Sequence, residues 1–330
     1  MKPYISDIEV FLPERKVSSE EIERLVNRNG NFVPAGSVAR MFGVKERRFA
    51  DENVQVSDLA ANAARKIVDK HGKENIDCLV FASACSDLIE PATANIVQDK
   101  LGLNCPAFDV KNACNSFVTA LQIAQAFIVA GTYKRILIAT GEKLSNSIKL
   151  DIQNDDDLKG RLAALSFGDA GSAVLIEASM NGRGIIFQRF KTSGKHWKLC
   201  TIQGGGSMFP FDMNKNYFEG KTSELSEVMF QEGAEFVANC FKDAHWTLND
   251  VDHIFTHQVS ERTFEQVATF FEIPEQKFHK VVGEFGNTAS ASIPLALHKA
   301  AAGGKLKKGD KVAIIGLAAG VSISVQLMVW

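Results

Sequence analysis

The sequence predicts a layered α/β fold made of two related halves. From about residue 57 onward, apolar helical patterns alternate with short apolar strands, which is typical of a largely parallel sheet covered by helices. Three features then recur in the same order at a separation of roughly 175 residues. They are the segment 64–87, which recurs at 237–260, the strand 135–141, which recurs at 311–317, and the turn at Cys114, which recurs at Asn287. This pattern indicates a tandem duplication.

The duplication divides the chain into an N-terminal half, residues 1–178, and a C-terminal half, residues 179–330. The segment at about 185–225 is rich in Phe, Gly, Lys and Met and is predicted to be an insertion; it lacks the spacing of a phosphate-binding P-loop. Because equivalent strand ends of two such halves meet in the middle of the fold, polar residues at these ends are expected to share one cleft.

The first elements of the chain are predicted from short local signals. Ser18 or Ser19 with Glu21 resembles a capping box that opens a helix, and Ser57 or Asp58 is expected to cap a second helix that ends near Lys70. Strands are expected at 5–10 and at 76–82. The basic segment 45–48 is interpreted from its charge alone as a solvated surface.

Cys114 lies where a short strand, residues 106–110, turns into a helix that is apolar nearly all round, residues 117–130. Gly131 follows as the expected C-cap. A thiol at a helix N-terminus lies near unpaired N–H groups, which favour the thiolate and lower the thiol pKa. This placement predicts a nucleophile, although a buried structural cysteine is the alternative.

Composition excludes several classes of function. The net charge of −2, without a basic stripe, argues against nucleic acid as the main partner. No uncharged apolar run approaches the length of a membrane span, and the first residues lack the apolar core of a signal peptide. The six cysteines have no CxxC or zinc-type spacing, so reduced thiols, no metal and a cytoplasmic location are expected.

His257 and Asn287 follow the strand and the turn that correspond, in the second half, to those around Cys114. A Cys, His and Asn set suggests two chemistries. In a hydrolase, the His is the base for the Cys. In acyl transfer to carbon, the Cys takes the acyl group, and His and Asn hydrogen-bond a thioester enolate. A structural role for a single His at the end of an apolar strand is the alternative.

Along essentially its whole length, the sequence resembles the β-ketoacyl-ACP synthase III group of thiolase-fold condensing enzymes. The resemblance is carried by five motifs in order: Gly43-Val-Lys-Glu-Arg-Arg48, Asp109-Val110-x-x-Ala113-Cys114-x-x-Phe117, Phe167-Gly168-Asp169-Ala170-Gly171, His257-Gln258, and Gly286-Asn287-Thr288-x-x-Ala291-Ser292-Ile293-Pro294. The resemblance implies two duplicated halves with a five-layer αβαβα core, and a homodimer.

The same resemblance implies the chemistry. Cys114 would take an acyl group from a CoA or acyl-carrier-protein thioester, while His257 and Asn287 would stabilise the enolate of a decarboxylating malonyl thioester. The product would be a 3-oxoacyl thioester. Backbone N–H groups of Cys114 and Ala319 would form the oxyanion hole. CoA or phosphopantetheine thioesters are expected as substrates, without a permanently bound cofactor.

The sequence also departs from the family pattern. Ala318 and Ala319 are found where the family has a run of glycines. Because alanine rarely adopts a positive φ, a left-handed backbone conformation is not expected at these two positions. Typical members of the family stack the adenine of CoA in a clamp between a Trp and an Arg just before the basic motif. At the corresponding positions this sequence has Ser37 and Met41, with Arg40 nearby. Arg161 matches the second arginine of that clamp, and Arg262 matches a carrier-protein contact. Acyl-carrier protein is therefore the more secure donor.

The segment Asp87-Leu-Ile-Glu90-Pro91 resembles a subfamily that joins two acyl chains without decarboxylation, in which a glutamate reaches the partner subunit's site and removes an α-proton. The alternative for Glu90 is an acidic residue that precedes a helix beginning at Pro91. Two further alternatives are an O-acyltransferase on the same scaffold and a non-catalytic synthase subunit, the latter disfavoured by an intact Cys, His and Asn set.

Overall fold

The computed structural model describes residues 2–179 and 182–330. The strands are β1 (Lys2–Phe11), β2 (Lys16–Ser18), β3 (Glu46–Arg48), β4 (Cys78–Ala82), β5 (Ala107–Val110), β6 (Arg135–Lys143), β7 (Asp169–Ser179), β8 (Gly184–Thr192), β9 (Cys200–Thr201), β10 (Glu219–Gly220), β11 (His253–Thr256), β12 (Lys311–Ala318) and β13 (Ser322–Val329). The α-helices are α1 (Ser19–Val26), α2 (Ser37–Phe42), α3 (Val56–His71), α4 (Thr93–Leu101), α5 (Ser116–Val129), α6 (Asp155–Leu158), α7 (Thr222–Asp243), α8 (Glu261–Phe270), α9 (Val282–Phe285) and α10 (Ser292–Ala302).

Two main sheets organise the molecule. The first has the strand order β1-β7-β6-β4-β5, and the second has the order β11-β12-β13-β8. Strand β4 is parallel to β5 and β6, and β11 is parallel to β12, whereas the other pairs in both sheets are antiparallel. The expectation of largely parallel sheets is therefore wrong. A short turn joins β12 directly to β13, and so short a connection can only join antiparallel strands.

The helices cover both sheets and fill the space between them, which confirms the predicted five-layer α/β core. Helices α5 and α10 lie between the sheets in a core cluster that includes Val80 and Val174 from the first sheet and Ile314 from the second. Helices α3 and α4 cover the outer face of the first sheet. Helices α7 and α8 cover the outer face of the second sheet. Apolar burial on both faces explains why the central strands are continuous apolar runs.

The strands of the first sheet lie within residues 2–179 and those of the second within 184–329. The division at residues 178 and 179 stays a prediction. Residues 185–192 of the predicted insertion at about 185–225 form β8, an integral strand of the second sheet. The segment outside the two main sheets therefore starts after Thr192. No helix in the two described ranges is both long and apolar enough to cross a membrane.

Of the three local predictions near the start of the chain, one is confirmed and two are wrong. Ser18 caps α1, since its side chain accepts a hydrogen bond from the Glu21 N–H. The predicted cap of α3 is wrong: Gln55 occupies the N-cap, and the Asp58 carboxylate accepts from the Gln55 N–H. The solvated interpretation of segment 45–48 is wrong for Arg47, whose guanidinium is fully buried.

Two glycines allow the loops before β7 and before α10 to touch through their backbones. A Cβ at Gly168 would lie 2.2 Å from the Phe285 carbonyl oxygen, and a Cβ at Gly286 would lie 2.4 Å from the Ser166 carbonyl oxygen. Backbone hydrogen bonds fix the contact, because Asn287 N–H donates to Ser166 O and Gly168 N–H donates to Asn287 O. The motif glycines therefore join the two halves rather than form ligand loops.

Replacing Gly286 with Ala should destabilise the protein through this contact. Gly286 has a φ of 68° and Gly304 has a φ of 67°, but a Cβ at Gly304 would meet nothing within 4 Å. Gly304→Ala is therefore a control for a positive φ without a close contact. We expect Gly286→Ala to cost about 1–3 kcal/mol more than Gly304→Ala, because overpacking and the ψ of −167° at Gly286, a conformation that essentially only glycine adopts, add to the cost of the positive φ. Urea unfolding measures both, and equal losses would contradict the steric explanation.

Candidate active site

The turn at Cys114 places the thiol just before a buried helix. Helix α5 begins at Ser116, with Asn115 at the N-cap. Ala113 has a φ of 47°, a left-handed conformation that is strained for a residue with a Cβ and costs on the order of 1–3 kcal/mol. The Ser116 hydroxyl donates to Ala113 O and accepts from Asn112 N–H, at 2.7 and 2.8 Å, which stabilises the strained turn.

The opposite half of the molecule holds this turn in place. The Asn115 amide nitrogen donates to the Ser322 carbonyl oxygen on β13 at 2.9 Å. Gly316 on β12 permits the approach, since a Cβ there would lie 2.3 Å from Asn115 Oδ1. The thiol is thus fixed relative to the second sheet, which carries the remaining candidate residues.

His257 follows β11 directly and is buried. Its Nδ1 lies 3.0 Å from Ser292 Oγ. The Ser292 hydroxyl donates its only proton to Ala289 O at 2.8 Å, so it must accept from His257. This assigns the proton to Nδ1 and leaves Nε2 with a lone pair. Burial lowers the pKa of His257 to about 4, and the Ala289 carbonyl opposes the shift only in part, so the ring is neutral at pH 7.

Gln258 explains the second residue of the His257-Gln258 motif. Its carboxamide is fully buried; its nitrogen donates to His279 O at 2.7 Å, and its oxygen accepts from the N–H groups of Val281 and Val282. The side chain therefore ties the end of β11 to the segment that leads into α9. This positions the chain just before the Asn287 turn.

Asn287 presents its amide N–H₂ group because its carbonyl end is already bound. Asn287 Oδ1 accepts from the Ala289 N–H at 2.9 Å. Because this hydrogen bond uses Oδ1, Nδ2 of the same carboxamide remains available as a donor. Asn287 is buried, so this donor works in a medium of low polarity, where a hydrogen bond to a developing anion is strong.

One cavity of about 420 Å³ brings the predicted catalytic set together: Cys114, His257, Asn287 and Ala319 all line it. Most of the other lining side chains are apolar. Ala319 follows β12 directly and starts the turn into β13. Of the described residues in this turn, only Gly320 has φ in the left-handed region, at 126°. Alanine at 318 and 319 therefore requires no strained backbone, and the doubt raised by the missing glycines is removed.

The expectation that the helix end lowers the thiol pKa is wrong for this structure. Cys114 is only partly exposed, and burial raises the pKa of its thiol to about 12, with the nearby Glu142 carboxyl and the Cys200 thiol adding to the rise. Asn115 rather than Cys114 occupies the N-cap, so the thiol lies outside the first turn, where the helix field is strongest. At pH 7 the group is a thiol and needs a base.

Sequence reasoning missed Glu142, a fully buried carboxyl at the end of β6. One of its oxygens accepts from the Ala84 N–H at 2.9 Å and from the Ser290 hydroxyl. Burial raises its pKa despite these hydrogen bonds. The carboxyl therefore links the loop after β4 to the loop before α10, and these two loops contribute Ala84 and Ala289 to the cavity wall. An acidic residue directly after an apolar strand was the available signal.

The remaining predicted residues do not line the cavity. Glu90 is exposed, and α4 begins at Thr93 with Ala92 as N-cap, not at Pro91. Arg40 is exposed and donates to Ala35 O and Ser37 Oγ. Arg161 is paired with Glu219 at 2.6 Å, and Arg262 is exposed in the first turn of α8. The structure therefore unites the Cys, His and Asn set but leaves the arginines at the periphery.

Comparisons with known proteins agree with this geometry. A family model described as 3-oxoacyl-[acyl-carrier-protein] synthase III matches residues 108–194, and a model for the C-terminal part of the same enzyme matches residues 241–330. The β-ketoacyl-[acyl-carrier-protein] synthase III of Clostridioides difficile is 30% identical, over 97% of this chain and 96% of its own length. The corresponding protein of Neisseria meningitidis serogroup C is 31% identical over 98% of both chains.

Solved structures show the same similarity. The 3-oxoacyl-[acyl-carrier-protein] synthase III of Aquifex aeolicus has a TM-score of 0.88 and 27% identity, and covers 99% of this chain and 100% of its own. A variant of OleA from Xanthomonas campestris has a TM-score of 0.89 and 27% identity, and covers 100% of this chain and 98% of its own. The chain therefore belongs to the 3-oxoacyl-[acyl-carrier-protein] synthase III family of thiolase-fold condensing enzymes, which are acyltransferases.

Proposed function

We propose that the protein catalyses a decarboxylative Claisen condensation through an acyl group on Cys114. An acyl-CoA or acyl-carrier-protein thioester supplies the acyl group, a malonyl thioester supplies the carbon nucleophile, and a 3-oxoacyl thioester is the product. The observation that carries the proposal is the shared cavity of Cys114, His257 and Asn287, whose protonation states and free donors match the two steps.

In the first step, His257 Nε2 takes the proton of the Cys114 thiol as the sulfur attacks the thioester carbonyl. The Nδ1 proton on the opposite side of the ring, directed to Ser292, leaves Nε2 free for this role. Backbone N–H groups of Cys114 and Ala319 stabilise the oxyanion, each worth roughly 3–4 kcal/mol in comparable sites. The donor carbon–sulfur bond then breaks, and the imidazolium returns its proton to the leaving thiolate.

In the second step, a malonyl thioester loses carbon dioxide, and the resulting enolate attacks the acyl group on Cys114. Asn287 Nδ2 donates to the enolate oxygen. His257 takes up one proton from solvent only as the negative charge of the enolate develops beside it, which favours the charged ring, and it then donates Nε2–H to the same oxygen. Collapse of the tetrahedral intermediate expels the Cys114 thiolate, which receives that proton, so the condensation consumes one proton and releases one carbon dioxide.

The composition of the cavity supports decarboxylation over proton abstraction. Its lining, within the described residues of the chain, contains no Asp or Glu side chain. A carboxylate base for a C–H proton must therefore come from elsewhere, whereas loss of carbon dioxide needs no such base. An apolar cavity also disfavours the charged malonyl carboxylate relative to the delocalised enolate.

The two thioesters reach Cys114 as CoA or phosphopantetheine esters, and acyl-carrier protein is the preferred donor. Arg262, exposed on α8, is the proposed contact for the acidic carrier. Arg161 and Arg40 are proposed CoA contacts of lesser importance, because Arg161 already pairs with Glu219. A homodimer is part of the proposal.

Replacing His257 with Ala should slow acylation of Cys114 about 10²–10⁴-fold at pH 7, because the thiol, with a pKa of about 12, then has no base. Between pH 7 and 10 the remaining rate should rise about tenfold per unit as thiolate forms. The wild-type rate should be flat above about pH 5, since His257, with a pKa of about 4, stays neutral there. Intact-mass spectrometry after mixing with an acyl thioester measures loading.

Cys114→Ala is the control and should gain no acyl mass at any pH. A His257→Ala variant that is acylated at the wild-type rate, with no increase in this rate between pH 7 and 10, would show that His257 does not take the thiol proton. Acyl mass on Cys114→Ala would place the acyl group on another cysteine.

A second candidate function is the non-decarboxylative joining of two acyl thioesters with Glu90 as the base. It is favoured by the position of Glu90 in an exposed loop beside Leu88 and Ile89, which are 51% and 84% exposed. Large apolar side chains so exposed are typical of a contact with another protein surface. In a dimer, such a loop would deliver the carboxylate to the partner's cavity.

Glu90→Gln distinguishes the two functions, because it removes the basicity but keeps the shape of the side chain. Under our proposal, product forms only with a malonyl thioester, and Glu90→Gln keeps most of the wild-type condensation rate. The second candidate predicts condensation of two plain acyl thioesters that is lost in Glu90→Gln, with Cys114 acylation unchanged. Mass spectrometry of the product thioester, with and without malonyl donor, decides between them.

A further inference from the structure

The cavity that contains Cys114 extends well beyond the catalytic groups. Its distal part lies between α7, α8 and the edge of the second sheet. The walls there are mainly apolar and include Met229, Val237, Ile254, Phe264, Phe271 and Phe278. Four polar residues of α7 and α8 also line the cavity, and two of them are exposed: Thr222, Ser226, Thr263 and Gln266, of which Ser226 and Gln266 are the exposed ones. A ligand that lies against the apolar walls gains stability by burying apolar surface.

Helix α7 turns an apolar stripe toward this space, and only the Val237 end of the stripe also packs in the core cluster on the second sheet. Leu225, Met229, Gly233 and Val237 recur every four residues and all line the cavity. Such a stripe normally packs against a neighbouring helix or sheet. Here α7 and α8 are bridged at the outside by the rings of Phe230 and Phe270, whose centroids are 4.4 Å apart. The two rings therefore cover the outer side of the gap.

Gly233 widens the gap. It is buried in the middle of a 22-residue helix, where glycine is disfavoured relative to alanine. Its φ is not among the left-handed values, and a Cβ there would meet only Ile323 Cδ1, at 3.3 Å. Neither the backbone conformation nor a close backbone contact requires glycine. The missing side chain leaves room in the cavity.

We propose that the gap between α7 and α8 binds the alkyl tail of a medium-chain or long-chain acyl group carried by Cys114, and that Gly233 sets the limit of chain length. This inference rests on the proposed function of Cys114. The whole cavity of about 420 Å³ has space for on the order of ten methylene groups beside the reacting thioester, if each needs about the volume of a water molecule.

The alternative occupant is the pantetheine arm of the donor, which carries two amide groups. Of the lining residues on α7 and α8, only Thr222, Ser226, Thr263 and Gln266 have hydroxyl or amide groups that could bind these amides. The six apolar side chains named above offer no partner, and an amide buried without a hydrogen bond is strongly disfavoured. An alkyl chain has no such requirement. The chemistry of the walls therefore favours the acyl tail.

Gly233→Leu fills the gap and tests the inference. Acylation of Cys114 is followed by intact-mass spectrometry with acetyl, butyryl, octanoyl, decanoyl and dodecanoyl thioesters. In the wild type, kcat/KM should rise with chain length, because each buried methylene is worth roughly a factor of four. In Gly233→Leu, decanoyl and dodecanoyl loading should fall by about tenfold or more, while acetyl loading stays within about twofold.

Gly233→Ala is the matched control, since it also removes the helix-interior glycine but adds only one methyl group. It should change the dependence of Cys114 acylation on chain length less than Gly233→Leu does. Met229→Trp is a second variant that leaves Gly233 unchanged. Met229 is half-buried, and a larger side chain there narrows the same gap. Thermal unfolding followed by circular dichroism confirms that each variant is folded.

The outcomes separate this inference from the proposed function. A wild type that accepts no acyl group of any length would overturn the proposed function. Normal loading with the same chain-length profile in the wild type, Gly233→Leu and Met229→Trp would overturn the inference alone. A KM that rises equally for all chain lengths in both variants would place the pantetheine arm in the gap and would also overturn it.

Discussion

The close contact between the two halves is the constraint on which the site depends. Three glycines make it possible, because Gly168 faces Phe285 O, Gly286 faces Ser166 O, and Gly316 on β12 faces the Asn115 side chain. A side chain at any of these positions would push the two halves apart at that point. The nucleophile comes from the first half, whereas the His, the Asn and the Ala319 turn come from the second. Their common cavity therefore exists only while these contacts hold.

Burial then sets the chemistry of the site. The same exclusion of water raises the pKa of Cys114 to about 12 and lowers that of His257 to about 4, which keeps both groups neutral before substrate arrives. The Cys114 thiolate and the His257 imidazolium form together only when the sulfur begins to bond to the thioester carbonyl, because this bond removes the negative charge from the sulfur. The reactivity of the resting thiol is low, and it rises where an acyl donor occupies the oxyanion hole. The buried Glu142 carboxyl joins the two loops that contribute Ala84 and Ala289 to the cavity wall.

The sequence was informative where one local rule decided the outcome. Strand ends and the α/β layers were predictable from apolar periodicity and the duplicated order, whereas the Cys, His and Asn set was predictable from the family motifs that contain these residues. The thiol pKa was not predictable, since it depends on burial by elements remote in the chain and on the Glu142 carboxyl and the Cys200 thiol, which are distant in sequence. Arg47 was misread as solvated because its partners, Ser19 Oγ and Leu165 O, lie on elements remote in the chain.

The acyl group bound in the cavity is the most direct test of the proposed mechanism, because a single structure would show both the residue that is acylated and the position of the acyl tail. The measurement is a crystal structure of the wild-type protein after reaction with a decanoyl thioester. We predict continuous electron density from Cys114 Sγ, with the acyl oxygen between the N–H groups of Cys114 and Ala319 and the tail between α7 and α8. Acyl density on another residue, or a carbonyl directed away from these N–H groups, would contradict the account.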